Sequence, residues 1–100
     1  MKQPEASVAI QVLPKVNDDE VIRIVDKVIE HISQSDLSYV VGPFETTIEG
    51  PFDQLMDIVR EAQRICIQEG APSVMSYIKI ALAPEAGVWS IEKKTAKHQR

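Results

Sequence analysis

Two segments with apolar residues at every third or fourth position are interleaved with segments that alternate apolar and polar, and this order restricts the fold more than any other feature of the chain. Residues 6–14 alternate: Val8, Ile10 and Val12 share one parity, and Ser7, Ala9, Gln11 and Leu13 the other. Such a pattern fits a strand with one apolar and one mixed face, and Pro14 ends it. Over 17–35 the period lengthens. Val21, Val25, Val28 and Ile32 form a helical stripe, with Ile22 and Ile29 beside it. Asn17 is the expected N-cap, Glu20 completes a capping-box pattern, and Asp18 and Asp19 suit the positive end of the helix dipole. Residues 37–42 and 44–50 read as two short strands joined at Gly42-Pro43. Parity is weak in the first; in the second, Thr46 and Ile48 share one side while Glu45, Thr47 and Glu49 share the other. A second helix is expected over 51–70, with Pro51 in its first turn, Gly70 as its C-cap, and Phe52, Leu55, Met56, Val59, Ala62 and Cys66 at helical spacing. The last strand, 73–84, places Ile78, Ile80 and Leu82 on one parity and Tyr77, Lys79 and Ala81 on the other. From about residue 85 to residue 100 the chain is a polar tail, in which Ser90 starts a short helix anchored by Trp89 and Ile91.

Strand, helix, strand, strand, helix, strand is the split βαβ order of the ferredoxin-like α+β fold: a four-stranded antiparallel sheet with both helices on one face. The 100 residues suit a single domain, 1–100, and 44% hydrophobic with 26% charged residues supports a packed core rather than disorder. A domain of this size gains stability from association with its own copies. The formal net charge of −4 argues against a nucleic-acid partner, which needs a basic stripe. The single cysteine points to a reducing compartment. The opening residues are too polar for a signal peptide, and no segment has the apolar length of a membrane span. The expectation is a soluble, cytoplasmic protein with no membrane partner.

The sheet face away from the helices turns this fold into a functional question. With the most apolar parity of each strand given to the helices, Val8, Ile10, Val12, Ile48, Ile78, Ile80 and Leu82 form the core. Ser7, Ala9, Gln11, Leu13 and Glu45 are then left on the open face, together with Thr47, Glu49, Tyr77, Lys79 and Ala81. A wetted sheet face is common in antiparallel sheets, and Glu49 and Lys79 then merely offset one another. Ala9, Leu13, Tyr77 and Ala81 among the polar groups also fit an oligomer interface. A small-molecule site fits as well, with a few polar groups orienting a flat ligand against an aromatic ring. The last two are compatible, because pockets form where sheets meet.

Elsewhere the reading is structural. Cys66 lies on the stripe of the second helix and reads as a small core residue. His31 suits the end of the first helix. His31, His98 and one cysteine give no metal-ligand spacing, and there is no phosphate-cradling glycine loop. Glu45 and Glu49 share a strand face roughly 13 Å apart, too far for a paired acid and base. The basic stretch at 92–100 reads as a solvated terminus. No catalytic constellation emerges, and an enzyme is not expected.

The stretches SVAIQVLP, GPFETTIEG, GAPSVMSYIKI and SIEKKTAK together resemble the small thiamine-binding protein family of bacteria, archaea and fungi, over nearly the whole chain and in the same order. The resemblance implies a ferredoxin-like fold, dimers that pair into tetramers, and binding of thiamine or its hydroxymethylpyrimidine moiety without catalysis. Thiamine is then the ligand, and no further cofactor is implied. One departure is Ser35-Asp36-Leu37, where the family usually reads Ser-Gly-Leu. Asp tolerates a left-handed turn better than most residues but less well than Gly. For the ligand, Gln11, Thr47 and Glu49 offer the donors and acceptors that an aminopyrimidine needs, and Tyr77 can stack on a ring. Lys79 does not help a cation; it pairs with a carboxylate or meets a phosphate. The alternatives are a structural or regulatory homo-oligomer with no small ligand, and an enzyme acting on a pyrimidine precursor.

Overall fold

The computed structural model describes residues 3–98. Its elements run β1 (Ala6–Pro14), α1 (Asp18–Ser33), β2 (Ser38–Val41), β3 (Thr46–Gly50), α2 (Phe52–Gln68), β4 (Val74–Leu82) and α3 (Ile91–Thr95), followed by a 3-10 turn at Ala96–His98. The strands form one sheet in the order β2-β3-β1-β4, every neighbouring pair antiparallel. This is the expected ferredoxin-like arrangement.

The core lies between the sheet and the helices α1 and α2. Val8, Ile10 and Val12 of β1 and Ile48 of β3 are buried, as are Ile24, Val28 and Ile32 of α1 and Leu55, Ile58, Ala62 and Cys66 of α2. Each large aliphatic side chain taken from water contributes about 1.5–3 kcal/mol. The line that α1 buries differs from the expected one. Ile24 takes the central place, Val21, Val25 and Ile29 become a half-buried flank, and Ile22 is 66% exposed. Seven branched residues spread over more than half the helix surface, so periodicity leaves the helix rotation open.

The helix ends follow the sequence in position but not always in bonding. Asn17 is the N-cap of α1, yet its side chain makes no cap. The Glu20 carboxylate turns instead to the Arg23 guanidinium at 3.0 and 3.1 Å. Arg23 also reaches Glu69 at the end of α2, contacting its side chain at 2.6 Å and its carbonyl at 2.8 Å. Hydrogen bonding to Arg23 and its charge hold the Glu20 carboxyl below the usual carboxylate range. Pro51 is the N-cap of α2 rather than part of its first turn, and the Phe52 N–H donates to the Glu5 carboxylate at 2.7 Å. At the other end Gly70, with φ 109, closes a Schellman motif: its N–H donates to the Ile67 carbonyl at 3.1 Å, and the Ala71 N–H to the Cys66 carbonyl at 3.0 Å. Asp36, with φ 63, stands in the left-handed region.

The larger departure concerns β4. Ile78, Ile80 and Leu82, expected in the core, are 37%, 51% and 45% exposed. They do point to the helix side, opposite Ile10, Val8 and Ala6. β4 is an edge strand, however, and the helices cover only its beginning, where Val74 packs on the core and the Ser76 hydroxyl donates to Gln63 of α2.

Candidate ligand site on the open sheet face

The pairing register collects the expected open-face residues on one side. Val40, Thr47, Ala9 and Lys79 lie side by side across all four strands. The next rung toward the C-terminal segment is Ser38, Glu49, Ser7 and Ala81, and the rung on the other side pairs Gln11 with Tyr77. Opposite residues share a sheet face, so these assignments follow from the ladder itself. The small side chain of Ala9 leaves the centre of the face low.

The chain after β4 does not trail into solvent. It runs beside the N-terminal segment, with the Ala83 N–H donating to the Glu5 carbonyl at 3.0 Å and the Val88 N–H to the Pro4 carbonyl at 2.8 Å. Gly87, with φ 79, makes the turn; a Cβ there would lie 2.5 Å from that of Gln3, so only glycine fits. This path delivers α3 to the open face. There the Ile91 N–H donates to a Glu49 carboxylate oxygen at 2.8 Å. The Ser90 hydroxyl, as the N-cap, accepts from the Lys93 N–H at 3.0 Å. Ile91 and Thr95 are half-buried, and Ser7, on the same rung as Glu49, is buried. The Lys93 ammonium sits 4.4 Å from the centroid of the Trp89 ring.

Between α3 and the sheet lies a cavity of about 380 Å³. Ser7, Ala9 and Thr47 line it from the sheet, Ile91, Lys94 and Thr95 from α3, and Lys79 from the edge strand. It continues into a hollow beside the hairpin at Pro43 and Phe44, which shares Val40, Thr47 and Lys79 with it. Its volume is within the usual range for small-molecule sites, and its mixture of apolar surface with a few convergent polar groups is typical of them. A smaller crevice of about 210 Å³ opens between α1 and the hairpin, walled mainly by aliphatic residues such as Val21, Val25 and Ile29.

Of the four candidate ligand residues, Thr47 lines the cavity. Glu49 is one rung away, with one carboxylate oxygen engaged by Ile91. Gln11 and Tyr77 are cross-strand neighbours one rung to the other side; Gln11 borders the α1 crevice and Tyr77 is exposed. All four therefore share a face, but only Thr47 reaches the cavity under α3. Lys79 pairs with Glu45 at 3.3 Å, not with Glu49. Lys94 and Thr95 were not among the candidates, because the segment holding them reads as a solvated tail. The signals that point to them are Ser90 as a cap and Ile91 as an apolar anchor. Cys66 is in the core, where burial pushes its thiol pKa up. Among the described residues, no three His, Cys, Asp or Glu side chains gather as a metal site would need, and no helix is long and apolar enough to cross a membrane.

Comparison with known proteins gives this site a family context. Residues 8–99 match the family model described as thiamine-binding protein. A UPF0045 protein from Clostridium perfringens is 42% identical over 93 residues, 93% of this chain and 96% of the relative. Among solved structures, a domain of unknown function (DUF77) from Bacillus cereus superposes with a TM-score of 0.86 at 39% identity, covering 99% of this chain and 93% of that one. A Thermotoga maritima protein, described provisionally as a thiamine biosynthesis/salvage protein, gives 0.84 at 35% identity, covering 96% of this chain and all (100%) of that one. The match across nearly the full chain, in sequence and in fold, shows that this protein belongs to the thiamine-binding protein family.

Proposed function

We propose that the protein binds thiamine or its hydroxymethylpyrimidine moiety on the open sheet face, beneath α3, and holds or delivers it without transforming it. The observation that carries this reading is the cavity of about 380 Å³ whose floor is formed by Ala9 and Thr47. Ala9 leaves room for a flat ring, and the Thr47 hydroxyl can donate to a ring nitrogen or accept from an amine. A two-ring ligand lying along the strands runs from the rung of Glu49, across Ala9, toward Gln11 and Tyr77. The free oxygen of Glu49 accepts from an amine, Gln11 bonds in either sense, and Tyr77 stacks. Family membership and the thiamine-related description of the Thermotoga relative support this ligand class.

The same reading includes a cytoplasmic homo-oligomer, a dimer or a dimer of dimers, with the site near its interface. The apolar edge of β4 supports assembly, since an exposed, apolar, unpaired strand invites another chain. That edge also favours the second reading, an oligomer with no small ligand. Calorimetric titration with thiamine and with hydroxymethylpyrimidine separates the two. Saturable binding at micromolar Kd or below, about −8 kcal/mol, is expected for at least one. Absence of heat and of thermal stabilisation with both leaves assembly alone.

A further inference from the structure

We propose that the cavity beneath α3 takes its ligand as a phosphate monoester, with the phosphate held between Lys79 and Lys94; this narrows the vitamin-binding reading and rests on it. The charged side chains lining the cavity are both cationic, Lys79 from β4 and Lys94 from α3, and they approach from different walls. Glu45 offsets Lys79 in part, at 3.3 Å, while among the described residues no carboxylate forms an ion pair with Lys94. Glu49 is not part of the lining, and one of its oxygens accepts from the Ile91 N–H at 2.8 Å. Glu45 belongs to the hairpin side, and its 3.3 Å contact leaves the Lys79 side chain 75% exposed. An ammonium has three donors, so Lys79 can keep Glu45 and still donate to an anion.

These charges discriminate among ligands of one shape. A bare thiazolium cation is repelled by two ammonium groups, and an uncharged pyrimidine gains nothing from them. A phosphate monoester accepts charge-assisted hydrogen bonds from both lysines, and the Thr47 hydroxyl can add a third. The Thr95 hydroxyl does not contribute a donor, because it already donates to the Ile91 carbonyl at 2.8 Å. Phosphorylated pyrimidine and phosphorylated thiamine carry the same group, so the chemistry names the class and the titration must separate the sources.

The test is calorimetry with four compounds: thiamine, thiamine monophosphate, hydroxymethylpyrimidine and hydroxymethylpyrimidine phosphate. Each is titrated into the full-length protein and into the K79Q, K94Q and K79Q/K94Q variants. Both lysines are exposed, so the variants are expected to fold, as circular dichroism would verify. At least one ester should bind about tenfold or more tighter than its own unphosphorylated parent, and added salt should weaken the ester selectively. In the double variant that preference should fall to about twofold or less, because the ester loses its two cationic donors while unphosphorylated thiamine, relieved of their repulsion, binds at least as well as before. The ester showing the preference identifies the source. A parent that binds saturably and as tightly as its ester overturns the phosphate assignment and leaves the vitamin-binding reading intact. A preference that survives the double substitution also overturns it. Failure of all four compounds to bind removes the vitamin-binding reading and this inference together.

Discussion

Asp36 adopts φ 63, a conformation that costs an ordinary L-residue about 1–2 kcal/mol and a glycine almost nothing. The strain was legible in the sequence, because Ser35-Asp36-Leu37 puts Asp where the family usually has Gly. Replacing Asp36 with Gly should therefore raise the thermal midpoint by a few degrees, whereas Asp36→Val should lower it; equal midpoints for the two variants would contradict the assignment. Cys66 was equally readable as a core residue from its place on the helical stripe. Because burial raises its pKa, the native state keeps the thiol neutral while the unfolded chain ionises above about pH 8.5. The stabilisation is complete below that unfolded value and is lost as pH rises toward the folded one. Between pH 8 and pH 10, wild-type stability should fall more steeply than that of Cys66→Ala, as measured by denaturant titration. The partner of Glu49 was not legible. Its carboxylate meets an N–H 42 positions away, and no local pattern encodes that contact.

Among the elements, α3 matters most to the site; its start at Ser90 was legible in the sequence, but its docking on the open sheet face was not. Its five residues, Ile91–Thr95, carry too little periodicity to show which face they bury, and Lys93 and Lys94 within it and Lys97 just after it make the segment look solvated. What fixes it is long-range: the Gly87 turn, the pairing with residues 3–5 and the Glu49 anchor. Glu49→Ala should release this wall. Backbone amide exchange at residues 88–96 should speed up, stability should fall by about 1 kcal/mol, and ligand affinity should drop. Glu49→Gln, which keeps an acceptor for Ile91, should restore slow exchange. Unchanged exchange in Glu49→Ala would show that α3 is held by other contacts. Strands β1, β3 and β4 and both long helices were legible because their apolar periods are clear, and β2, with weak parity, was legible from its place before the Gly42-Pro43 turn. The rotation of α1 was not, since Val21, Ile22, Ile24 and Val25 offer several equivalent stripes and only packing against the sheet chooses Ile24.

For the molecule as a whole, the order of periods was enough to identify the ferredoxin-like sheet and its open face. It misplaced β4, whose helix-side residues Ile78, Ile80 and Leu82 alternate like core residues yet lie on an edge the helices do not cover. Parity tells which side a residue faces, but not whether anything lies above it. A second chain is the simplest cover for that edge. Sedimentation of the wild-type protein should show a dimer or tetramer, and Ile80→Lys should shift it toward monomer. A wild-type monomer at tens of micromolar would contradict assembly through β4. The central claim is that the cavity between α3 and the sheet holds the ligand, and amide chemical shifts during titration with thiamine and with hydroxymethylpyrimidine test it most directly. The account predicts saturable shifts centred on Ala9, Thr47 and Ile91, from the three elements β1, β3 and α3 that border the cavity. Shifts confined to the crevice between α1 and the hairpin, or none at all with either compound, would contradict it.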